Sequence, residues 1–172
     1  MTEDLKAFYK VIEDINIAMM TTRRPDGHLA SRPMANQKQA SGADLWFVSA
    51  EGTEKVTDLE QDPHLNLSYF RPNTMEWISV SGIATLSRAK EKIKELWAED
   101  WKVWFPKEGD ATHGTPDDPR LVLIGVKIHD ACFLEVNQSK PVILYEMAKG
   151  WLTGTKPQIG EMHQLEEPRR PK

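Results

Sequence analysis

The chain is poor in cysteine, in basic clusters and in long apolar runs. Its single cysteine, Cys132, excludes an internal disulfide and lies in an apolar segment, which favours a buried, unreactive thiol. The net charge is −4, and the only basic cluster is at residues 168–172, which argues against a nucleic-acid-binding protein. No apolar run approaches the length of a membrane span, and residues 1–10 lack the apolar segment of a secretion signal. We therefore expect a cytoplasmic protein that binds neither nucleic acid nor membrane.

Several motifs that carry well-known chemistry are also missing. The sequence has no G-x-x-x-x-G-K-[ST] loop, no G-x-G-x-x-G turn, no G-x-S-x-G elbow and no H-E-x-x-H pair. None of the five histidines stands at a metal-ligand spacing from another histidine or from Cys132, so we expect no metal site. No residue stands out as a dedicated acid or base, so we assign no catalytic residue.

What the sequence does contain is a series of short strands. Apolar residues at spacings of three and four predict a helix over residues 3–15. Helices are also predicted at 53–61 and 89–101, and residues 142–152 favour a helix over a strand. A loop is expected at residues 106–119. Strands are predicted at residues 17–22, 28–39, 45–49, 64–70, 77–86, 121–128 and 131–136.

Most of these strands follow one another without an intervening helix. That order is typical of a mainly antiparallel sheet, and a small barrel is its natural closed form. No domain boundary is visible. We assign residues 1–153 to one domain and residues 154–172 to a polar, proline-rich tail on the surface.

Three of the six tryptophans, Trp97, Trp101 and Trp104, stand at helical spacing. Such a stripe is typical of a core or a dimer interface, because large aromatic side chains dominate burial in both. A wall for a planar ligand is the alternative, and periodicity alone leaves both open.

Residues 45–63 read as a strand, a tight turn and a helix start with Lys55 in its first turn. Arg32 lies on the preceding hairpin strand. If that strand pairs beside residues 45–49, Arg32 approaches Ser49. An arginine, a lysine, a hydroxyl group and the N–H groups of a helix start would together bind an anion. Solvated surface charge is the simpler alternative.

Several short motifs occur in a characteristic order. They are residues 17–22 (IAMMTT), 26–34 (DGHLASRPM), 45–49 (LWFVS) followed by Lys55, 62–67 (DPHLNL), 78–82 (ISVSG), the set Trp97, Trp101, Trp104, Phe105, Pro106, and D-P-x-L at 118–121. In this combination the chain resembles the pyridoxamine 5'-phosphate oxidase-like FMN-binding split barrels, and within them the general stress protein group. The resemblance covers roughly residues 5–136.

The resemblance implies a six-stranded antiparallel split β-barrel with flanking helices, usually a homodimer with two FMN sites at the subunit interface. Arg32 and Lys55 would bind the FMN phosphate. Backbone groups at Pro33, Met34 and Ala35 would face the isoalloxazine ring. Val48 and Ser49 would lie on the next strand that contacts the flavin. Trp77 stands where the family often has a polar residue that reaches the flavin from the partner subunit.

The sequence also departs from the oxidase pattern. Glu54 replaces a basic residue before Lys55, and Leu134 replaces a tryptophan. Residues 140–142 (KPV) replace the Arg-x-His substrate motif. Oxidation of vitamin B6 phosphates is therefore not expected. Two functions remain: a flavin-dependent oxidoreductase acting on an unknown small substrate, or a non-catalytic flavin-binding or flavin-sequestering stress protein. Deazaflavin, FAD or haem could replace FMN as the ligand.

Overall fold

A computed structural model describes residues 3–107, 109–136 and 138–167. The α-helices are α1 (Glu3–Ile15), α2 (Glu54–Gln61), α3 (Lys90–Leu96) and α4 (Lys140–Thr153), and Glu99–Val103 forms a 3₁₀ turn. The strands are β1 (Ile17–Arg23), β2 (Leu29–Ala35), β3 (Leu45–Ala50), β4 (His64–Arg71), β5 (Glu76–Ser87), β6 (Leu121–Glu135) and β7 (Glu161–Glu166). Among these residues, no helix has the length and apolar character needed to cross a bilayer.

The strands form one antiparallel sheet in the order β2-β1-β4-β5-β6-β3, and β7 adds to β6 beside this path. The sheet is not closed, because β2 and β3 are its two ends and form no ladder with each other. Near the seam, the backbone N–H of Gln37 donates to the carbonyl oxygen of Trp46 at 2.8 Å. The expectation of a mainly antiparallel split barrel with flanking helices is confirmed.

Alternating side chains explain why these segments form strands with one buried face. In β4, Leu65, Leu67 and Tyr69 point into the barrel and are buried, whereas the residues between them are more exposed. Helix α1 covers the barrel core with an apolar stripe that includes Phe8 and Ile12. A second apolar cluster packs on the opposite side of β3, between Trp46, α3 and the 3₁₀ turn.

Two of the strands predicted from the sequence are one strand in the structure. β6 continues through His129 and Asp130, where a turn was expected, and pairs with β5 on both sides of that point. The register shifts at this point: Ser81 pairs with Asp130 and Gly82 pairs with Ile128, so His129 is the extra residue of a β-bulge. Gly82 fits there because it has no side chain: a Cβ atom would lie 2.7 Å from Cγ1 of Val126.

The helix predicted over residues 89–101 ends early, so the three tryptophans do not lie on one helical stripe. Helix α3 ends at Leu96, Trp101 lies in the 3₁₀ turn, and Trp104 follows it. Trp101 is buried and its Nε1–H donates to Oε1 of Gln37 at 2.7 Å, whereas Trp104 is 79% exposed. Only part of the stripe therefore serves the core.

The chain after residue 136 is more regular than expected. The helix favoured at 142–152 is confirmed as α4, and the loop at 106–119 is confirmed over its described residues. Strand β7 was not predicted: its polar side chains are mostly exposed, so it carries little of the apolar signal that marks a strand. The basic cluster at 168–172 lies outside the described residues.

Candidate functional site

The candidate site lies where β3 runs into α2. Gly52 adopts a positive φ of 72° in the connecting turn, a conformation that glycine reaches without steric cost. The Thr53 hydroxyl donates to the carbonyl oxygen of Ala50 at 2.9 Å and does not cap the helix. The first N–H groups of α2 are thus not capped by the Thr53 side chain, which leaves a helix start suited to an anion.

Lys55, in the first turn of α2, contacts the end of β3. Its Nζ donates a hydrogen bond of 3.0 Å to Oγ of Ser49, a buried residue. Burial of the ammonium group lowers the pKa of Lys55 below its usual value, and the positive charge of Arg32 lowers it further. The Lys55 charge is therefore only partly compensated within the chain, and a bound anion would stabilise it.

Arg32 enters the same region from β2. One guanidinium nitrogen donates to the Thr22 hydroxyl at 2.6 Å and to the carbonyl oxygen of Ala30 at 3.3 Å, and the other donates to Oδ2 of Asp58 at 3.1 Å. A guanidinium group has five N–H donors, so these three bonds orient it without using all of them. The Arg32 side chain is 20% exposed and can reach a ligand.

Positive side chains outnumber negative ones around Arg32 and Lys55. Glu54 accepts from Arg24 at 3.1 Å and lies 3.8 Å from Arg32. The three cations Arg24, Arg32 and Lys55 therefore outnumber the two carboxylates of Glu54 and Asp58 by one. Glu54, which looked unfavourable for an anion site in the sequence, is held by Arg24 at the edge of the site.

The structure brings together three of the residues singled out in the sequence: Arg32, Ser49 and Lys55. The pairing between the Arg32 strand and residues 45–49, which would have explained their proximity, does not occur, because β2 pairs with β1 and not with β3. The curvature of the sheet and the position of α2 bring the two strand ends close. Sequence spacing could not show this, since β2 and β3 stand at opposite ends of the strand order.

The other predicted positions face different parts of the fold. Met34 points into the barrel core and is buried, whereas Pro33 and Ala35 face outward on β2. Val48 packs against the second apolar cluster, on the opposite face of β3 from Ser49. Trp77 is on β5, with β4 and β1 between it and β2, so the sheet order separates it from the Arg32 cluster.

Two residues of the site were not identified from the sequence. Thr22 and Asp58 are both buried, and the Thr22 hydroxyl donates to Oδ2 of Asp58 at 2.7 Å while it accepts from Arg32. A carboxylate three residues after Lys55, between buried Val56 and Leu59, was a signal that α2 faces a buried cation. Nothing in the sequence linked Thr22 to either residue.

Other cavities and clusters lie apart from this site. A cavity of about 510 Å³ on the outward side of the sheet is lined by Thr21, Asn66, Ser81 and neighbouring residues, and not by Arg32 or Lys55. Over the described ranges, no group of three or more histidine, cysteine, aspartate or glutamate residues could hold a metal ion. The Arg32 cluster is thus the arrangement that the sequence and the geometry both point to.

An open antiparallel barrel with a cationic cluster at a helix start defines the chain as a split-barrel protein with a candidate anion site. The family model described as pyridoxamine 5'-phosphate oxidase like matches residues 3–158, and the chain belongs to this family.

Individual relatives agree with this assignment. Protein bli-3 of Neurospora crassa is 32% identical over 153 residues, which cover 87% of this chain and 73% of that protein. A putative general stress protein 26 from Jannaschia sp. CCS1 superposes with a TM-score of 0.72 at 21% identity, covering 96% and 99% of the two chains. The general stress FMN/FAD binding protein of Xanthomonas citri gives 0.64 at 22% identity, over 81% and 93%.

Proposed function

We propose that this protein binds FMN, with the phosphate held by Arg32, Lys55 and Ser49. The observation that carries the proposal is the Lys55 ammonium group: it is half-buried, it contacts a hydroxyl instead of a carboxylate, and a second cation lies nearby. A phosphate would supply the missing negative charge and accept from both cations. The name of the Xanthomonas citri protein, which includes FMN/FAD binding, supports a flavin as the ligand.

The remaining positions suggest how the rest of the flavin would lie. β2 is an end strand of the sheet, so its backbone edge that faces away from β1 pairs with no other strand, and on this edge the carbonyl oxygen of Ala35 accepts from Nε2 of Gln37 at 3.0 Å. We propose that this edge and the backbone at Val48 contact the polar edge of the isoalloxazine ring. Thr22 and Asp58 would act as positioning residues, because they hold the Arg32 guanidinium group in place.

We further propose a homodimer with one flavin site at each end of the interface. Trp77 is remote from Arg32 in the strand order of its own chain, so it would contact the flavin of the partner subunit. Its place on the outward face of β5, between Phe70 of β4 and Leu134 of β6, leaves the ring available for such a contact. A cytoplasmic location stays a prediction from the sequence.

The flavin, when bound, supplies the redox chemistry, and the chain supplies binding and orientation. We favour a flavin-dependent oxidoreductase that acts on an unknown small substrate. A vitamin B6 phosphate is not the proposed substrate, because residues 140–142 replace the Arg-x-His motif and begin a helix. The second candidate is a non-catalytic flavin binder, which the absence of an identified acid or base among the described site residues favours.

The test is a titration of the purified, ligand-free protein with FMN, riboflavin and FAD, followed by absorbance and flavin fluorescence. We expect FMN to bind more tightly than riboflavin, because only FMN carries the phosphate. Equal affinities for FMN and riboflavin would contradict the phosphate site. Tighter binding of FAD than of FMN would identify FAD as the ligand. NADH or NADPH oxidation above that of free FMN would then separate the oxidoreductase from the non-catalytic binder.

A further inference from the structure

A second group of polar side chains lines the cavity of about 510 Å³ on the outward side of the sheet. That volume is within the range of roughly 300–1,000 Å³ that is typical of small-molecule sites. Strand β1 separates this cavity from the proposed phosphate site. Its Thr22 side chain contacts Arg32 on the inward face. Thr21 and Arg23 alternate with Thr22 and line the cavity on the outward face, so the two sites lie back to back on one strand.

The floor of the cavity is a row of polar side chains on three neighbouring strands. Thr21 of β1 stands opposite Asn66 of β4, and Asn66 stands opposite Ser81 of β5. The hydroxyl groups of Thr21 and Ser31 share a hydrogen bond of 2.6 Å. Nδ2 of Asn66 donates to the carbonyl oxygen of Val80 at 3.0 Å. The Ser81 hydroxyl has no hydrogen-bond partner among the described residues, so it is available to a polar group of a ligand.

A β-bulge brings a histidine to the wall of this cavity. His129 is the extra residue of the bulge, and it is one of the cavity-lining residues. Bulges re-aim a side chain and are frequent next to functional sites. The backbone packs tightly at this point, since a Cβ atom at Gly82 would lie 2.8 Å from the carbonyl oxygen of Lys127. The bulge is therefore a defined feature of the strand pair.

A second histidine on the cavity wall is held by a carboxylate. Nδ1 of His64 bonds to Oδ1 of Asp62 at 2.7 Å, and the backbone N–H of His64 donates to the same oxygen at 3.1 Å. The side-chain bond, and after it the backbone bond, lowers the pKa of Asp62, so this carboxylate is ionised and only accepts. Nδ1 of His64 therefore carries a proton, and its Nε2 is left for a ligand.

Arg23 supplies a permanent positive charge at the cavity wall. Its Nε lies 3.7 Å from Oδ2 of Asp62, which is too far for a hydrogen bond. Within the described part of the chain, the Arg23 guanidinium group makes no hydrogen bond, so its N–H donors are free for a bidentate contact. Leu29 and Ile83 line the same cavity with apolar surface. A free cation, polar groups and apolar walls thus lie together.

We propose that this cavity binds a small organic carboxylate. Arg23 binds the carboxylate group, and Nε2 of His64 binds a hydroxyl group of the same molecule. Leu29 and Ile83 cover its carbon skeleton. A phosphate monoester fits less well, because it carries a charge of about −1.5 to −2 and Asp62 lies beside the single arginine of the cavity. This inference goes beyond the proposed function and depends on neither the flavin nor the homodimer.

The test uses 4-hydroxybenzoate as the probe and 4-hydroxybenzamide as its neutral isostere, titrated into the ¹⁵N-labelled, flavin-free protein. We expect a dissociation constant on the order of 1 mM for the acid, because Arg23 and His64 are largely exposed. The amide should bind at least about fivefold more weakly. The amide resonances of Asn66 and Ser81 should shift, and that of Lys55 should not. Equal affinities for the two compounds, or shifts at Lys55 and not at Ser81, would overturn the proposal.

Substitutions in the cavity wall test the assigned contacts. Arg23→Gln should weaken the binding of 4-hydroxybenzoate about fivefold and leave that of the amide unchanged. His64→Ala should weaken the binding of the acid about threefold. His28→Ala is the matched control, because His28 makes the same two contacts to Asp26, at 3.1 and 2.9 Å, but does not line the cavity. Equal effects of the two histidine substitutions, or no effect of Arg23→Gln, would overturn the assignment.

A titration in the presence of excess FMN separates this cavity from the flavin site. The affinity for 4-hydroxybenzoate should be the same with and without FMN, since the two sites lie on opposite faces of β1. Displacement of the acid by FMN would show that the cavity belongs to the flavin site, and it would overturn the second site. FMN affinity itself is measured by flavin fluorescence, so the proposed function and this inference can fail independently.

Discussion

The Arg32 guanidinium group and the Asp58 carboxylate form an ion pair of 3.1 Å, and only 3% of the Asp58 side chain is exposed. The pair joins β2 to α2 across the open side of the barrel. It holds Arg32 beside Lys55 and so links the stability of the fold to the geometry of the candidate site. A substitution of Arg32 therefore changes both properties, and a binding test needs variants that separate them.

Arg32→Ala should lower the free energy of unfolding by about 3–5 kcal/mol, because it leaves the Asp58 carboxylate buried without its cation. Urea denaturation at neutral pH measures this value. Arg24→Ala is the control: it breaks an exposed ion pair with Glu54 and should cost less than about 1 kcal/mol. Similar losses in the two variants would show that the Arg32–Asp58 pair is not a buried ion pair in solution.

Asp118→Asn should reduce stability at neutral pH and change its dependence on acid. Burial alone would raise the pKa of this carboxyl group, but Arg120 and the N–H groups of Gly114 and Arg120 outweigh it and lower the pKa to about 2. The ordinary value is 3.8, so the stabilisation is complete above that pH and is lost as the pH falls through 2. It amounts to about 2 kcal/mol.

Unfolding curves between pH 2 and pH 7 test this prediction, with the neighbouring Asp117→Asn as the control. Asp117 forms an exposed pair with Lys94 at 3.0 Å, and its removal should have little effect. The difference between the two variants should shrink towards low pH. A difference that is independent of pH would contradict the lowered pKa of Asp118.

FMN affinity should fall at alkaline pH through the titration of Lys55. The phosphate stabilises the ammonium form, so the pKa of Lys55 is higher in the complex than in the free protein. Affinity is then constant below the pKa of the free protein and falls above it. Since burial and Arg32 lower that pKa from 10.5, the fall should begin below 10.5.

Flavin fluorescence titrations at several pH values measure this effect, and riboflavin serves as the reference because it shares the titration of the ring. The ratio of FMN to riboflavin affinity should decrease with rising pH in the wild-type protein. In Lys55→Arg the ratio should stay nearly constant, because arginine remains charged. The same decrease in both proteins would assign the effect to another group.

The sequence was sufficient for the barrel because its strands alternate clearly and follow one another directly. In β4, for example, every second residue is apolar and buried. β6 and β7 were harder because of their polar residues. The polar pair His129–Asp130 interrupts the apolar pattern of β6 and suggested two strands, although the strand continues through it, and the polar side chains of β7 hide that it is a strand at all.

The candidate site was predictable only in part. Lys55 and Ser49 are close in the sequence, and a strand that enters a helix suggests their contact. Arg32 reaches them only through the curvature of the sheet, which depends on long-range pairing. Asp58 and Thr22 are close in space to Arg32 but have no sequence motif in common, so only the structure identified them.

The most direct test of the central claim is the effect of Lys55→Met on the affinities for FMN and riboflavin. The substitution keeps the length and apolar stem of the side chain and removes its charge. We expect FMN to bind at least about tenfold more weakly, as for the loss of one charge-assisted hydrogen bond, and riboflavin affinity to change less than about threefold. Lys94→Met, on α3, should leave both affinities unchanged. Equal losses for FMN and riboflavin in Lys55→Met would contradict the phosphate site.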